Sequence, residues 1–154
     1  MRNWLVRFFA TGFGIGRFPF APGTAGSILG VAYWWSLMYL QPWAHWLVFA
    51  TAIAFAVWCS GEAAELFRRP DPPQVVIDEI VAMPLVLAGV GLVWWKVALG
   101  FVWFRVFDIW KPAPVRQAQA FSGGVGIVLD DLLAAAYACL TTHAVIWLLG
   151  HVKH

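Results

Sequence analysis

Gly123-Gly124-Val125-Gly126-Ile127-Val128-Leu129-Asp130-Asp131 places two adjacent carboxylates at the threshold of an apolar run that continues to about Gly150. A carboxylate at the centre of a bilayer costs roughly 2.5–3.5 kcal/mol on insertion scales, so an acidic pair kept at such a boundary needs a partner or a function. Neighbours on a helix diverge by about 100°. One aspartate can therefore face a bundle interior while the other faces a neighbouring helix or the cytoplasmic surface.

Working outward, the rest of the chain confirms the solvent. Hydrophobic residues make up 62% of the 154, charged residues only 12%, with 11 Trp and 12 Phe, so this reads as an integral membrane protein. That length allows one domain, residues 1–154, of a few spans and no separate soluble domain. A net charge of +2 fits anionic headgroups and does not suggest a nucleic-acid partner. Cys59 and Cys139 lie far apart in apolar stretches and read as packing.

The expected fold is an all-α helical bundle of four to five spans with an amino-terminal interfacial helix. The spans are rich in Leu, Ala and Trp, and no alternating barrel pattern is sustained. Near the amino terminus, Trp4 with Phe8 and Leu5 with Phe9 are spaced as helix neighbours, with Arg2 and Arg7 at headgroup level. The first span runs from about Ala25 to Leu40 and the second from about His45 to Ser60, followed by a polar connection from Glu62 to Val76. A third begins near Ile80, bent or thinned at Pro84; a fourth reaches Phe107, with the turn between them inside Gly89–Gly100. The fifth starts beside Asp130.

Basic residues gather in the amino-terminal segment, at Arg68-Arg69 and around Arg105, Lys111 and Arg116, while the loop at Gln41-Pro42 has none. By the positive-inside tendency those segments face the cytoplasm. Four polar clusters then share one face: the glycine-rich segment Gly12–Ser27, Asp78-Glu79, Arg105–Lys111, and Asp130-Asp131.

Each cluster has a chemical and a structural reading. Exposed N–H groups near Pro22-Gly23 could hold an anion, or the glycines could serve close helix packing. Asp78 and Glu79 could bind metal, or sit at a helix amino terminus because the dipole favours acids there. Arg105 and Asp108, three apart, share a helix face, and Lys111 precedes the helix-ending Pro112. Together Asp78, Glu79, Asp108, Asp130 and Asp131 supply oxygen ligands without nearby His or Cys, which suits Mg2+ rather than Zn2+. Arg105 and Lys111 could balance a phosphate. His45, His143, His151 and His154 fall toward the other face or the carboxyl terminus, and Glu62 with Glu65 reads as a solvated helix end, though Glu65 could join the metal shell.

Five ordered blocks carry a further reading: Gly12-Phe13-Gly14-Ile15-Gly16, Ala21-Pro22-Gly23-Thr24-Ala25-Gly26-Ser27, Ile77-Asp78-Glu79-Ile80-Val81, Phe104–Pro112 and Gly123–Asp131. The chain resembles the bacterial phosphatidylglycerophosphatase A family over nearly its full length. That resemblance implies a Mg2+-dependent hydrolase of phospholipid biosynthesis at the bacterial inner membrane, and the positive-inside reading turns its active site toward the cytoplasm. It would remove the terminal phosphate of phosphatidylglycerophosphate to yield phosphatidylglycerol. In that reading Asp78, Glu79, Asp130 and Asp131 hold metal, and Asp108 completes the shell or positions water. Arg105 and Lys111 bind phosphate with Thr24 and the Gly23 backbone. Ile77, where the family often has Trp, and Ala82, where it usually has Gly, depart from the pattern and bear on packing. Competing readings are a phosphatase for another lipid phosphate and a small ion-coupled transporter; crowding of the acids on one face, with no inverted repeat, weighs against the transporter.

Overall fold

The computed structural model describes residues 2–151. Among them the chain forms seven α-helices and no strand: α1 Arg2–Ala10, α2 Pro22–Leu37, α3 Pro42–Phe67, α4 Ile77–Val86, α5 Trp94–Trp110, α6 Val115–Ala118 and α7 Gly124–His151. A 3-10 turn at Ile15–Arg17 joins α1 to α2. The all-helical expectation holds. Two helices, α3 with 26 residues and α7 with 28, are long and apolar enough to cross a membrane.

Several boundaries differ from expectation, each for a local reason. α3 does not stop at Ser60 but carries Glu62 and Glu65 in its last turns, because glutamate is a good helix former; it ends at Arg68 in the left-handed region. α7 begins at Gly124, well ahead of Asp130, so the aspartate pair lies inside the helix and beyond the first-turn N–H groups that would otherwise explain it. α4 is short. Pro84 lacks the N–H that would bond back to the Ile80 carbonyl, and the helix closes at Leu87. Gly89 and Gly91 then take φ of 73° and 69°, which turns the chain into a full-length α5.

α4 is the centre of the molecule: eight of its ten residues are buried, which accounts for an apolar surface on every side except at Asp78 and Glu79. α2 packs on α4; α3, α4 and α5 pack on α7; α1 lies on α3. One core joins Trp34, Met83, Leu87, Phe104, Phe107 and Ala135 from α2, α4, α5 and α7. A second joins Val6, Ala56, Cys59, Ile77, Val81 and Val128 from α1, α3, α4 and α7. Both draw on α4 and α7, which carry four of the acids.

Small residues permit this closeness, as they do between helices in lipid. A Cβ at Gly30 of α2 would lie 2.9 Å from Met83 Cβ, and one at Gly26 would lie 2.7 Å from Val76 Cβ. Gly61 and Gly124 serve the same purpose where α3 meets α7. The Val76 N–H, just ahead of α4, donates to the Ala10 carbonyl at the end of α1 at 2.9 Å, and Gly16, between α1 and α2, packs on the Gln74 backbone. The glycine-rich segment thus braces the residues that lead into Asp78. In α1, Trp4 stacks on Phe8 at 5.2 Å, as their spacing predicts.

Candidate active site

The start of α2, the start of α4, the end of α5 and the second turn of α7 meet at one end of the bundle. Arg105 is the hub. Its Nη1 lies 3.0 Å from Glu79 Oε1 and 2.9 Å from Asp108 Oδ2, and it donates to Ser27 Oγ at 3.4 Å. Ser27 in turn donates to the Gly23 carbonyl at 2.9 Å. Gly23 abuts the Glu79 carboxylate and the guanidinium so closely that a side chain there would collide with both. The Pro22-Gly23 turn is therefore part of the same cluster, and only glycine leaves the Glu79 carboxylate and the guanidinium where they are.

Lys111 closes the other side. It caps α5 at φ 47°, in the left-handed region, with its N–H on the Phe107 carbonyl at 2.8 Å. Pro112 prevents the helix from continuing. The strained cap accompanies a reach of Lys111 Nζ to Asp130 Oδ2 on α7, 2.5 Å away. Burial alone would lower the Lys111 ammonium, but the contact with Asp130 outweighs it and holds the pKa above its usual value.

Asp78, Glu79, Asp130 and Asp131 are all buried. Asp78 Oδ1, Glu79 Oε2, Asp131 Oδ2 and Arg105 Nε have no hydrogen-bond partner among the described residues. Burial pushes Asp78 well above the ordinary carboxylate range, with the charge of Glu79 adding to it. Burial also raises Glu79, to about 8, against the pull of Arg105. Orphaned carboxylate oxygens beside an orphaned guanidinium N–H are costly unless a cation and an anion enter together.

The donor set is all oxygen and fits a hard divalent ion. Among the described residues, however, no three acid, histidine or cysteine side chains converge closely enough to hold one as they stand. Arg105 and Lys111, expected to bind phosphate, are paired with carboxylates here. Thr24, expected to help at the phosphate, lines an apolar cavity between α2 and α5.

Asp71 was not singled out by sequence reasoning. Its charge bears on both Asp78 and Glu79, and it lines a cavity of about 260 Å³ with Ser122 and Asp130. The signal was the stiff Pro70-Asp71-Pro72-Pro73 loop, which confines an acid near the entry to α4. Glu65 lines a neighbouring cavity with Glu62, Arg68 and Arg69 and stays out of the cluster. His143 lies against Gly89 and His45 against the Leu37 carbonyl, at the opposite end, while His151 bonds the Trp147 carbonyl in the last turns of α7; His154 falls outside the described residues.

The family model for phosphatidylglycerophosphatase A matches residues 8–146. A protein of Bacteroides thetaiotaomicron, provisionally named a phosphatidylinositol-3-phosphatase, is 36% identical and aligns over 96% of this chain and 98% of its own. An Escherichia coli protein named phosphatidylglycerophosphatase A is 34% identical, over 92% of this chain and 81% of its own. Its Haemophilus influenzae namesake is 36% identical, over 94% and 91%. No solved structure matches.

Proposed function

The chain belongs to the phosphatidylglycerophosphatase A family, and on that footing we propose that it hydrolyses the terminal phosphomonoester of phosphatidylglycerophosphate, giving phosphatidylglycerol and phosphate. The observation that carries this reading to particular residues is the coexistence of buried, unpartnered oxygens on Asp78, Glu79 and Asp131 with the unpartnered Arg105 Nε. Asp78, Glu79, Asp130 and Asp131 would hold Mg2+. The ion would supply positive charge against the phosphate and acidify water.

In this scheme Arg105 and Lys111 exchange carboxylate partners for phosphate oxygens as the substrate enters, with charge-assisted hydrogen bonds replaced in kind. The first N–H groups of α2, beside Gly23, add donors at a helix amino terminus. Asp108, released by Arg105 in that exchange, orients the attacking water and takes its proton. A new bond forms from that water oxygen to phosphorus while the bond from phosphorus to the glycerol oxygen breaks, and the proton held by Asp108 passes to the leaving alkoxide, so that one water is consumed in all.

The membrane arrangement belongs to the same proposal. α2 and α5, with 16 and 17 residues, are about 24–26 Å long, close to the roughly 30 Å hydrocarbon core, and would span with α3 and α7. α4 would enter only part-way, and α1, with Trp4 and Leu5 exposed, would lie at the interface. Arg2, Arg7, Arg68, Arg105, Lys111 and Arg116 fall toward the acidic end, which supports a cytoplasmic active site at the bacterial inner membrane.

The test is phosphate release from phosphatidylglycerophosphate in detergent with Mg2+, for wild type and for Asp130→Asn and Asp131→Asn. Near wild-type turnover in both variants would remove the assignment. The Bacteroides relative favours including phosphatidylinositol 3-phosphate in the same assay. Preference for it would keep the site and change the headgroup.

A further inference from the structure

α2 packs on α4 and α5 packs on α7, which leaves a cavity of about 700 Å³ between α2 and α5. Its α2 wall is the stripe Thr24, Ile28, Val31 and Trp35, one helix face by spacing. Trp94, Val97, Ala98 and Phe101 form the facing wall on α5. Thr24 supplies the one hydroxyl in the lining. Ile28, Trp35 and Trp94 are exposed large side chains, so the cavity opens laterally from the bundle surface.

Both walls lead into the acidic cluster. Gly23, the neighbour of Thr24, touches Glu79 and Arg105, and Arg105 is one turn beyond Phe101 on α5. From Thr24 to Trp35 the groove follows about 16 Å of helix, which is roughly half the hydrocarbon thickness of a bilayer, the depth of a single leaflet. A groove with a charged head, an apolar length of one leaflet and a sideways opening has the dimensions and polarity of a phospholipid lying upright.

We infer that the α2–α5 groove is an acyl-chain subsite, holding one chain of the lipid whose phosphate enters among Glu79, Arg105 and Lys111. This rests on the lipid phosphatase reading above. The continuity between groove and cluster is what selects a substrate chain over a bulk lipid or a second copy of the protein, since neither of those would need a polar terminus at Gly23. The subsite also gives Thr24 a place, at the boundary where the ester region of the lipid would lie.

Ala32 and Ala98 line the groove and are exposed, so Ala32→Trp and Ala98→Trp fill it without entering either core. Turnover of dipalmitoyl and of dibutyryl phosphatidylglycerophosphate is measured in the same micelles. The expected result is a fall of roughly ten-fold or more in kcat/KM for the long-chain lipid, the scale on which apolar pockets discriminate, with the short-chain lipid unchanged. Unchanged long-chain turnover, or equal loss on both lipids, overturns the subsite.

A second measurement separates this from the phosphatase reading. Phosphatidic acid with a mid-chain diazirine is photolysed in vesicles with the wild-type protein, and labelled peptides are mapped. Labelling of α2 and α5 that excess unlabelled phosphatidylglycerophosphate suppresses, and excess phosphatidylcholine does not, supports the groove even if no phosphate is released. Labelling that both lipids suppress equally, or that falls elsewhere, overturns it, including the case in which a second copy covers the groove.

Discussion

Arg105 Nη1 lies 3.0 Å from Glu79 Oε1 and ties α5 to α4. Both side chains are largely buried, 18% and 11% exposed, so the pair is better described by what happens when it is broken than by what it adds. Removing one partner of a buried pair leaves an uncompensated charge, which costs about 3–5 kcal/mol. Arg105→Ala should lower the thermal midpoint in detergent, and Arg105→Ala with Glu79→Gln should recover part of the loss. Phosphate release should be abolished in both. A double variant no more stable than the single one would mean that Arg105 acts through packing.

The orphaned oxygens make a prediction of opposite sign for the two properties of the protein. Asp78→Asn and Asp131→Asn remove a buried charge that nothing satisfies in the metal-free protein. Thermal stability in the presence of a chelator should therefore hold or rise, while turnover falls by roughly 100-fold or more, the scale of losing one electrostatic contact at a transition state. Mg2+ should raise the wild-type midpoint, through a stabilisation of about 2.7 kcal/mol at a hundred times its dissociation constant, and should raise neither variant's as much. Lower stability of both variants without metal would make these carboxylates structural.

Lys111 separates phosphate binding from metal binding. Lys111→Ala frees Asp130 Oδ2 and removes a cation from the cluster, so substrate use, read as kcat/KM, should fall more than the Mg2+ titration midpoint moves. Lys111→Arg keeps the charge but replaces a compact ammonium by a planar fork, and should recover only part of the activity. Equal loss in kinetics and in metal titration would show that Lys111 mainly holds α5 against α7.

The sequence made the helices legible because apolar runs in this chain exceed what a soluble helix needs, and made the cluster legible because charges are so few. It did not reveal that α4 is central and short, since Pro84 can kink a long helix or end a short one, and only the packing of Met83 and Leu87 decides. Glu62 and Glu65 lie beyond the apolar run that ends near Ser60, yet their three-residue spacing reads as a solvated helix end, and α3 does carry both in its last turns. The direction of Thr24 was hidden because Gly23 and Thr24 diverge on the helix: one meets Glu79 and the other faces the groove. Asp71 was hidden because its place depends on the path of a proline-rich loop, which local propensity does not specify.

The glycines of α2 provide the last prediction, because they separate packing from chemistry along one helix. At Gly30 an added Cβ would meet Met83 Cβ at 2.9 Å, in the core and remote from the acids. Gly30→Ala should destabilise by about 1–3 kcal/mol, the range for overpacking, with turnover per folded molecule retained. At Gly23 the added Cβ would strike the ends of two flexible side chains, Glu79 and Arg105, which can move aside. Gly23→Ala should therefore change stability little yet displace the Glu79 carboxylate and guanidinium and lower turnover by at least ten-fold, since small misplacements at a reacting centre are that costly. At Gly150 nothing lies nearby, and Ala should be neutral or mildly stabilising by helix propensity. Thermal midpoints and phosphate release for the three variants check the order. Loss of stability at Gly23 with full turnover would place the chemistry away from Glu79 and Arg105.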